Sequence, residues 1–206
     1  WNRSYYTIIK SVLFKLKEHP CFDLKIVVTV SHLLKSSGYS IKEIKDDGFI
    51  VDAKVKMFDE ILDDSLEGGV NSFNKCAKGM IKAIIKIKPD IALVTVDRVE
   101  TLAIASVCAL MNIPIIHVQG GEISGTIDES IRHAVTKLSH FHLTSTRLAK
   151  KRIIQMGEKP SNVFHVGCPY IDIINKIKKE AKKKPKFIPK KPYGLFIMHS
   201  VTTNLN

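Results

Sequence analysis

The sequence predicts an α/β protein with a doubly wound, Rossmann-like parallel sheet that carries helices on both faces. Segments of strand and helix character alternate along the chain, which is the order that parallel sheets with helical crossovers produce. The strand segments are continuously apolar, as expected where both faces of a sheet are buried. The 206 residues are 45% hydrophobic, which is enough to bury a sizeable core.

Each element is predicted from its local pattern. Residues 2–18 carry apolar side chains at helical spacing and end at a His-Pro pair, which predicts a helix. Residues 24–30 form a β-branched run typical of a buried strand, a short strand is predicted at 48–51, and residues 53–68 are ambiguous. The remaining predicted helices are 70–87, 99–111, 128–138, 147–156 and 170–184, and the remaining strands are 91–96, 113–117, 141–145, 163–166 and 193–198.

Charge is concentrated near the end of the chain. The formal net charge is +12, and residues 176–192 hold nine lysines against one glutamate. Because this run has no arginine and only one aromatic residue, Phe187, we interpret it as a solvated helix end and a linker, with no nucleic acid as partner. The sequence thus predicts a domain at 1–181, a Lys- and Pro-rich linker at 182–192 and the start of a second, truncated domain at 193–206.

Several classes of protein and site are excluded by composition and motif. No apolar run approaches the roughly 20 residues of a membrane span, and no secretory signal is visible, so we expect no membrane partner. Four widely spaced cysteines indicate reduced, buried thiols in a cytoplasmic protein. The chain has no G-x-G-x-x-G, P-loop or G-x-S-x-G motif, which argues against dinucleotide, P-loop nucleotide and nucleophile-elbow chemistry.

The stretch from His117 to His133 departs from this general pattern. It places three glycines, three carboxylates, one arginine and two histidines in seventeen residues after an apolar strand. Strand, Gly-rich turn and helix N-terminus together form the geometry that binds anions in open α/β sheets. Thr126 and Glu129 fit a capping box at the helix start, so a tight turn before a well-capped helix, with nothing bound, is the alternative.

The candidate functional side chains follow the ends of three predicted strands or begin the next helix. Ligands in this architecture bind beyond the carboxyl ends of the strands. Carboxylates can transfer protons, arginines can bind phosphate, and histidine titrates near neutrality. Two local alternatives stay open, a helix cap at Asp97 and a surface ion pair between Asp128 and Arg132. The candidates are Asp97, Arg98, Gln119, Glu122, Asp128, Arg132 and His199.

Several motifs give the chain a resemblance to a known family. Residues 97–98, 100–105, 111–114, 166–169 and 199–203 contribute, together with the long run from His117 to His133, which contains Gly-Gly-Glu-Ile-Ser-Gly-Thr-Ile-Asp-Glu-Ser-Ile-Arg-His. Together they resemble the UDP-N-acetylglucosamine 2-epimerases, most closely the hydrolysing branch of the sialic acid pathway.

The resemblance implies the N-terminal half of a GT-B-type fold, in which two Rossmann-like domains enclose the active site. It implies that UDP leaves C1 of a UDP-sugar as the C2 proton is removed, giving a 2-acetamidoglucal. Water then adds to give N-acetylmannosamine, or UDP returns in the non-hydrolysing branch. No metal or nicotinamide cofactor is implied, and we expect a homo-oligomer, a dimer or a tetramer.

The resemblance also implies roles for single residues. Asp97 matches a catalytic aspartate, Asp128 and Arg132 match the acidic and arginine positions of the next helix, Arg98 matches a substrate contact, and His199 matches the histidine of a His-Pro-Val-Thr-Thr motif. It further implies a first strand before residue 1 and most of the second domain after residue 206.

Two positions depart from the pattern of the family. Ser200 replaces the proline of the histidine motif, and Gln119 stands where many relatives have a catalytic glutamate. Glutamine cannot exchange a proton. Either Gln119 only binds the sugar while Glu122 or Asp128 transfers the proton, or turnover is reduced. A related UDP-2,4-diacetamido sugar as substrate, and a non-catalytic UDP-sugar-binding domain, are the alternatives.

Overall fold

Parallel strands separated by helices form the framework of the protein. The structure, a computed structural model, describes residues 3–58, 65–95, 97–180 and 191–197. The helices are α1 (Arg3–Glu18), α2 (Ile41–Asp46), α3 (Leu66–Ile87), α4 (Val99–Leu110), α5 (Ile127–Leu138), α6 (Arg147–Gln155) and α7 (Tyr170–Glu180). The strands are β1 (Val27–Thr29), β2 (Ala53–Val55), β3 (Ala92–Thr95), β4 (Ile115–Val118), β5 (Phe141–Thr144) and β6 (Val163–His165).

The described strands pair in parallel throughout. Hydrogen bonds join β1 to β2, and they join β3, β4, β5 and β6 in sequential order. The predicted α/β class with a parallel sheet is therefore confirmed, although the strands form two hydrogen-bonded groups instead of one continuous ladder.

Two hydrophobic clusters cover the opposite faces of these strands. Helices α3, α4 and α5 pack on one face, where Ile115 of β4 is fully buried. Helices α1 and α2 contribute to the cluster on the other face, which contains Val28 of β1 and Val118 of β4. Side chains along a strand alternate between its two faces, so Ile115 and Val118, three positions apart, lie on opposite faces and belong to different clusters. This burial on both faces explains why the strands are continuously apolar.

The predicted strand at 48–51 is wrong. Gly48 lies in the left-handed region at φ +80°, and the amide of Phe49 donates to the carbonyl of Ile44, so these residues form the C-terminal turn of α2. Phe49 is buried and packs against Phe14 with ring centroids 4.8 Å apart. The second strand is instead Ala53–Val55, within the segment that the pattern left ambiguous.

Further differences lie at element boundaries. Helix α3 begins at Leu66, before the predicted start, because the side chain of Ser65 accepts a hydrogen bond from the Gly68 amide at 2.9 Å. The described part of the predicted strand at 193–198, residues 193–197, is irregular, since no described strand pairs with it. Most of the predicted linker lies outside the described residues. None of the helices in the described ranges has the length and apolarity needed to cross a membrane.

The Ser65 cap provides a test of the boundary at α3. We expect Ser65→Ala to lower the free energy of unfolding by about 1 kcal/mol, because it removes the acceptor for an N-terminal amide of the helix. Urea denaturation measures this change. Ser65→Asp keeps an acceptor and is the matched control; an equal loss in both variants would contradict the capping role.

Candidate active site

The candidate site forms around the buried side chain of Arg132, on the first turns of α5. Its guanidinium forms an ion pair with the carboxylate of Asp97, which follows β3. It also donates to the carbonyl oxygen of Glu122 at 2.6 Å and to the hydroxyl of Ser124 at 3.1 Å. The Arg132 side chain is 7% exposed and that of Asp97 15% exposed, so water screens their interaction little.

These contacts decide between the local alternatives for Asp97, Arg132 and Asp128. The alternative of a surface ion pair between Asp128 and Arg132 is wrong, because Arg132 is buried and binds Asp97, an aspartate 35 positions away. The helix-cap alternative for Asp97 is also wrong, since Arg98 occupies the N-cap of α4 and Asp97 faces Arg132. Parallel strands bring the ends of β3 and β4 to the same edge, which explains how distant segments meet here.

Asp128 provides a second carboxyl group in the same electrostatic environment. Burial raises its pKa above the usual aspartate range, and the negative charge of Asp97 raises it further, while Arg98 and Arg132 oppose the shift. The site thus combines an aspartate paired with a buried guanidinium and an aspartate that retains its proton more readily. Carboxyl groups in such different environments are suited to opposite roles in acid–base chemistry.

Arg98 and Glu100 lie beside this pair. The guanidinium Nε of Arg98 is 3.4 Å from Glu100, whose carboxylate is buried, whereas the Arg98 side chain is 46% exposed. Glu100 lies in the first turn of α4, which begins at Val99. The sequence did not mark it as a candidate site residue, because a glutamate in the first turn of a helix is common for reasons of helix stability alone.

Tyr5 in the first turn of α1 also reaches the site. Its hydroxyl donates to Asp97 Oδ1 at 3.4 Å. Burial raises the pKa of the phenol to about 12, and the charges of Asp97 and Asp128 contribute to the rise. The sequence indicated only an amphipathic helix over this segment, and nothing in its spacing relates Tyr5 to a residue 92 positions away.

Glu122 and Gln119 lie in the turn after β4 with contacts of their own. The Glu122 carboxylate accepts a hydrogen bond from the Thr146 hydroxyl at 3.1 Å, and its carbonyl oxygen binds Arg132. The Gln119 backbone is left-handed at φ +65°, and its side-chain amide donates to Cys168 Sγ at 3.4 Å. The structure therefore brings Asp97, Arg98, Asp128 and Arg132 together and gives Gln119 and the Glu122 carboxylate other partners; His199 lies outside the described residues.

The glycines of this turn are required for packing within the protein. A Cβ atom on Gly120 would lie 2.8 Å from His117 Nδ1, and one on Gly121 would lie 2.5 Å from the carbonyl oxygen of Ala149. Gly121 also has φ +82°, which disfavours any other residue. The sequence had suggested that the glycines allow an anion to approach the backbone. In the structure, Gly120 and Gly121 instead allow neighbouring side chains and helix α6 to pack closely against the turn.

The predicted capping box takes a different form. Thr126 is the N-cap of α5, but within the described residues its side chain makes no cap hydrogen bond. The Glu129 carboxylate accepts from the backbone amides of Ser124 and Gly125 at 2.6 and 2.8 Å, which lowers its pKa. Those two amides are already occupied, so they do not offer the anion site that the pattern suggested.

A mostly apolar pocket of about 430 Å³ lies between α1 and the loop after β6. Val118 and Leu143, at the ends of β4 and β5, contribute to its walls together with Cys168. All four cysteines are free thiols, but only Cys76 and Cys108 are buried as expected, since Cys21 is exposed and Cys168 is half-buried. Among the described residues, no group of three or more His, Cys, Asp or Glu side chains is arranged to hold a metal ion.

Comparisons with known proteins converge on one family. The protein-family model described as UDP-N-acetylglucosamine 2-epimerase matches residues 14–206 of the chain. The UDP-N,N'-diacetylbacillosamine 2-epimerase (hydrolyzing) of Legionella pneumophila is 34% identical, over 100% of this chain and 55% of its own length. The UDP-N-acetylglucosamine 2-epimerase of Neisseria meningitidis serogroup B is 32% identical, over 98% of this chain and 53% of its own length.

A solved structure is similar in fold. The UDP-GlcNAc 2-epimerase from Neisseria meningitidis, bound to UDP-GlcNAc, has a TM-score of 0.75 at 18% identity, covering 86% of this chain and 48% of that one. The chain thus spans about half the length of the relatives that it matches.

The packing of the turn leads to a prediction. We expect Gly121→Ala to lower the free energy of unfolding by about 2–4 kcal/mol, because alanine is strained at positive φ and its methyl group overlaps the Ala149 carbonyl. Gly69→Ala is the control, since that position in α3 has open space and should gain about 0.5–1 kcal/mol. Chemical denaturation of both variants measures these changes. A free energy of unfolding of Gly121→Ala equal to that of the wild-type protein would contradict this account.

Proposed function

The chain belongs to the UDP-N-acetylglucosamine 2-epimerase family, and from this premise we propose that the whole protein is a hydrolysing 2-epimerase. It converts UDP-N-acetylglucosamine and water into N-acetylmannosamine and UDP. The observation that carries this proposal is the juxtaposition of two unlike carboxyl groups, Asp97 paired with the buried Arg132 and Asp128 with a raised pKa.

The first step is an elimination across C1 and C2 of the sugar. A carboxylate removes the C2 proton, the C–H electron pair forms the C1–C2 double bond, and the C1–O bond breaks as UDP leaves with its electrons. Asp97 is suited to act as the base because Arg132 and Tyr5 occupy its two oxygens and fix its orientation. The exposed guanidinium of Arg98 is suited to bind the departing diphosphate.

The second step is the addition of water to the 2-acetamidoglucal. Water attacks C1 and loses one proton, while an acid of the site delivers a proton to C2 from the opposite face, so the configuration at C2 is inverted. The proton lost by water restores that acid, and the proton that Asp97 removed from C2 in the first step is released to solvent. Asp128, which holds its proton more readily than an ordinary aspartate, is the proposed donor. Glu122 is the alternative proton-transfer group, and Gln119 binds the sugar through its amide. His199 keeps its proposed catalytic role.

The proposal extends to the architecture. Residues 1–181 form the N-terminal Rossmann-like domain, residues 182–192 the linker, and residues 193–206 begin a second domain that completes a GT-B-type cleft. The diphosphate is proposed to lie in that cleft, with a homo-oligomer in the cytoplasm as the working form. The similarity in fold to an epimerase that contains UDP-GlcNAc supports this arrangement.

A related UDP-2,4-diacetamido sugar is the second candidate substrate. The relative from Legionella pneumophila at 34% identity is named for a diacetylated substrate, which favours this alternative. Incubating the whole protein with each UDP-sugar at equal concentration, and comparing kcat/KM for UDP release, distinguishes the two. Binding of either sugar by calorimetry without product would instead support a non-catalytic UDP-sugar-binding domain.

The role of Asp128 is tested by substitution. We expect Asp128→Asn to lower kcat for UDP release by about 10²–10⁴-fold, the usual contribution of a positioned acid or base. Because the folded state raises the pKa of Asp128, its ionisation as pH rises above the usual aspartate range disfavours folding. Asparagine stays neutral, so the variant should retain or exceed the wild-type melting temperature at pH 7.

The matched control is Asp23→Asn, at an exposed carboxylate whose partner is Lys25. It should leave UDP release unchanged, because Asp23 lies outside the proposed site. A folded Asp128→Asn variant with wild-type kcat would refute the assignment of Asp128. A wild-type protein that releases UDP from neither sugar would refute the proposed function.

A further inference from the structure

Asp97 has a second polar partner besides Arg132, and nothing in the resemblance accounts for it. The Tyr5 hydroxyl is 3.4 Å from Asp97 Oδ1, whereas the Arg132 guanidinium binds Oδ2. The two partners therefore contact different oxygens of one carboxylate. They come from helices that are far apart in the sequence, Tyr5 from α1 and Arg132 from α5.

We propose that Tyr5 is a positioning residue that holds Asp97 for proton abstraction by donating a hydrogen bond to its Oδ1 atom. The inference rests on the proposed function. A carboxylate bound at one oxygen can rotate about its Cβ–Cγ bond, whereas a carboxylate bound at both oxygens has a fixed plane. Fixed orientation of a general base improves proton transfer because the reaction requires a narrow range of geometry.

The surroundings of Tyr5 keep its hydroxyl a donor. The phenol has a pKa of about 12, so it stays protonated throughout the neutral range. The charged groups that act on it are Asp97, Arg98 and Glu100, at or near the start of α4, and Asp128 of α5. Ionising the phenol among three carboxylates is unfavourable, and Tyr5 therefore acts on the reaction through Asp97 instead of exchanging a proton itself.

The adjacent tyrosine provides an internal control. Tyr6 also donates its hydroxyl to an aspartate, Asp47, at 2.6 Å, and its side chain is buried in the cluster formed with α2. Tyr5→Phe and Tyr6→Phe thus remove the same atom from neighbouring residues of one helix. Only Tyr5→Phe removes a contact of the proposed base.

We expect Tyr5→Phe to lower kcat for UDP release by about tenfold, the effect of losing a hydrogen bond to a charged group, with KM unchanged. Tyr6→Phe should lower the melting temperature and leave kcat and KM unchanged. The proposal fails if Tyr5→Phe keeps kcat within twofold of the wild-type value, or if Tyr6→Phe lowers kcat by as much.

A measurement without turnover separates this inference from the proposed function. In protein labelled with ¹³C at tyrosine Cζ, the Tyr5 resonance is the one that Tyr5→Phe removes. Its chemical shift should differ between the wild-type protein and Asp97→Asn, while the Tyr6 resonance stays at the same position. A Tyr5 resonance that Asp97→Asn leaves unchanged, or a Tyr6 resonance that moves by as much, would overturn the contact. Wild-type protein that releases no UDP refutes the enzyme assignment alone, and the resonance then decides the role of Tyr5.

Discussion

The arrangement of the candidate site depends on the buried guanidinium of Arg132. A buried charge is tolerated only when its donors are satisfied, because desolvation of an ion is expensive in an apolar interior. Here the partners come from three places: Asp97 after β3, the Glu122 carbonyl in the turn after β4, and Ser124 before α5. The guanidinium thus ties two strand ends and a helix to each other, and the positions of the surrounding carboxyl groups follow from it.

The packing around the buried Arg132 guanidinium places two aspartates, Asp97 and Asp128, in unlike environments. Asp97 forms an ion pair with the buried guanidinium of Arg132, whereas burial and the negative charge of Asp97 raise the pKa of Asp128. No property of an isolated aspartate distinguishes them. The difference arises because β3 and α5 meet at one edge of a parallel sheet, where side chains distant in sequence share a small volume.

Much of the fold is predictable from the sequence because the patterns that indicate helices and strands involve residues close together in the chain. The apolar run of β4 and the helical spacing of α5 depend on neighbours within a few positions, and both elements formed as predicted. The strand expected at 48–51 was misplaced because an apolar run beside Gly48 fits a helix-ending turn equally well. Arg132 and Tyr5 are 35 and 92 positions from Asp97, so their contacts with Asp97 could not be predicted from the spacing of residues in the sequence. Asp97 and Arg132 were chosen as site residues because one follows a strand and the other lies near the start of a helix, and the motif resemblance agreed, but their pairing is visible only in the structure.

Within the single motif from His117 to His133, Gly120 and Gly121 are required by the fold, whereas Asp128 is not. His117, Thr136 and Ala149 occupy the space that side chains at these glycines would need, so the glycines serve the folded state whether or not a sugar is ever bound. Asp128, in contrast, is less favourable to the fold in its ionised form than a neutral residue would be. A descendant that lost turnover would therefore keep the Gly-Gly pair and be free to exchange Asp128. On the proposed role of Asp128 in proton transfer, the aspartate and not the glycines would then distinguish an active member of such a lineage from an inactive one.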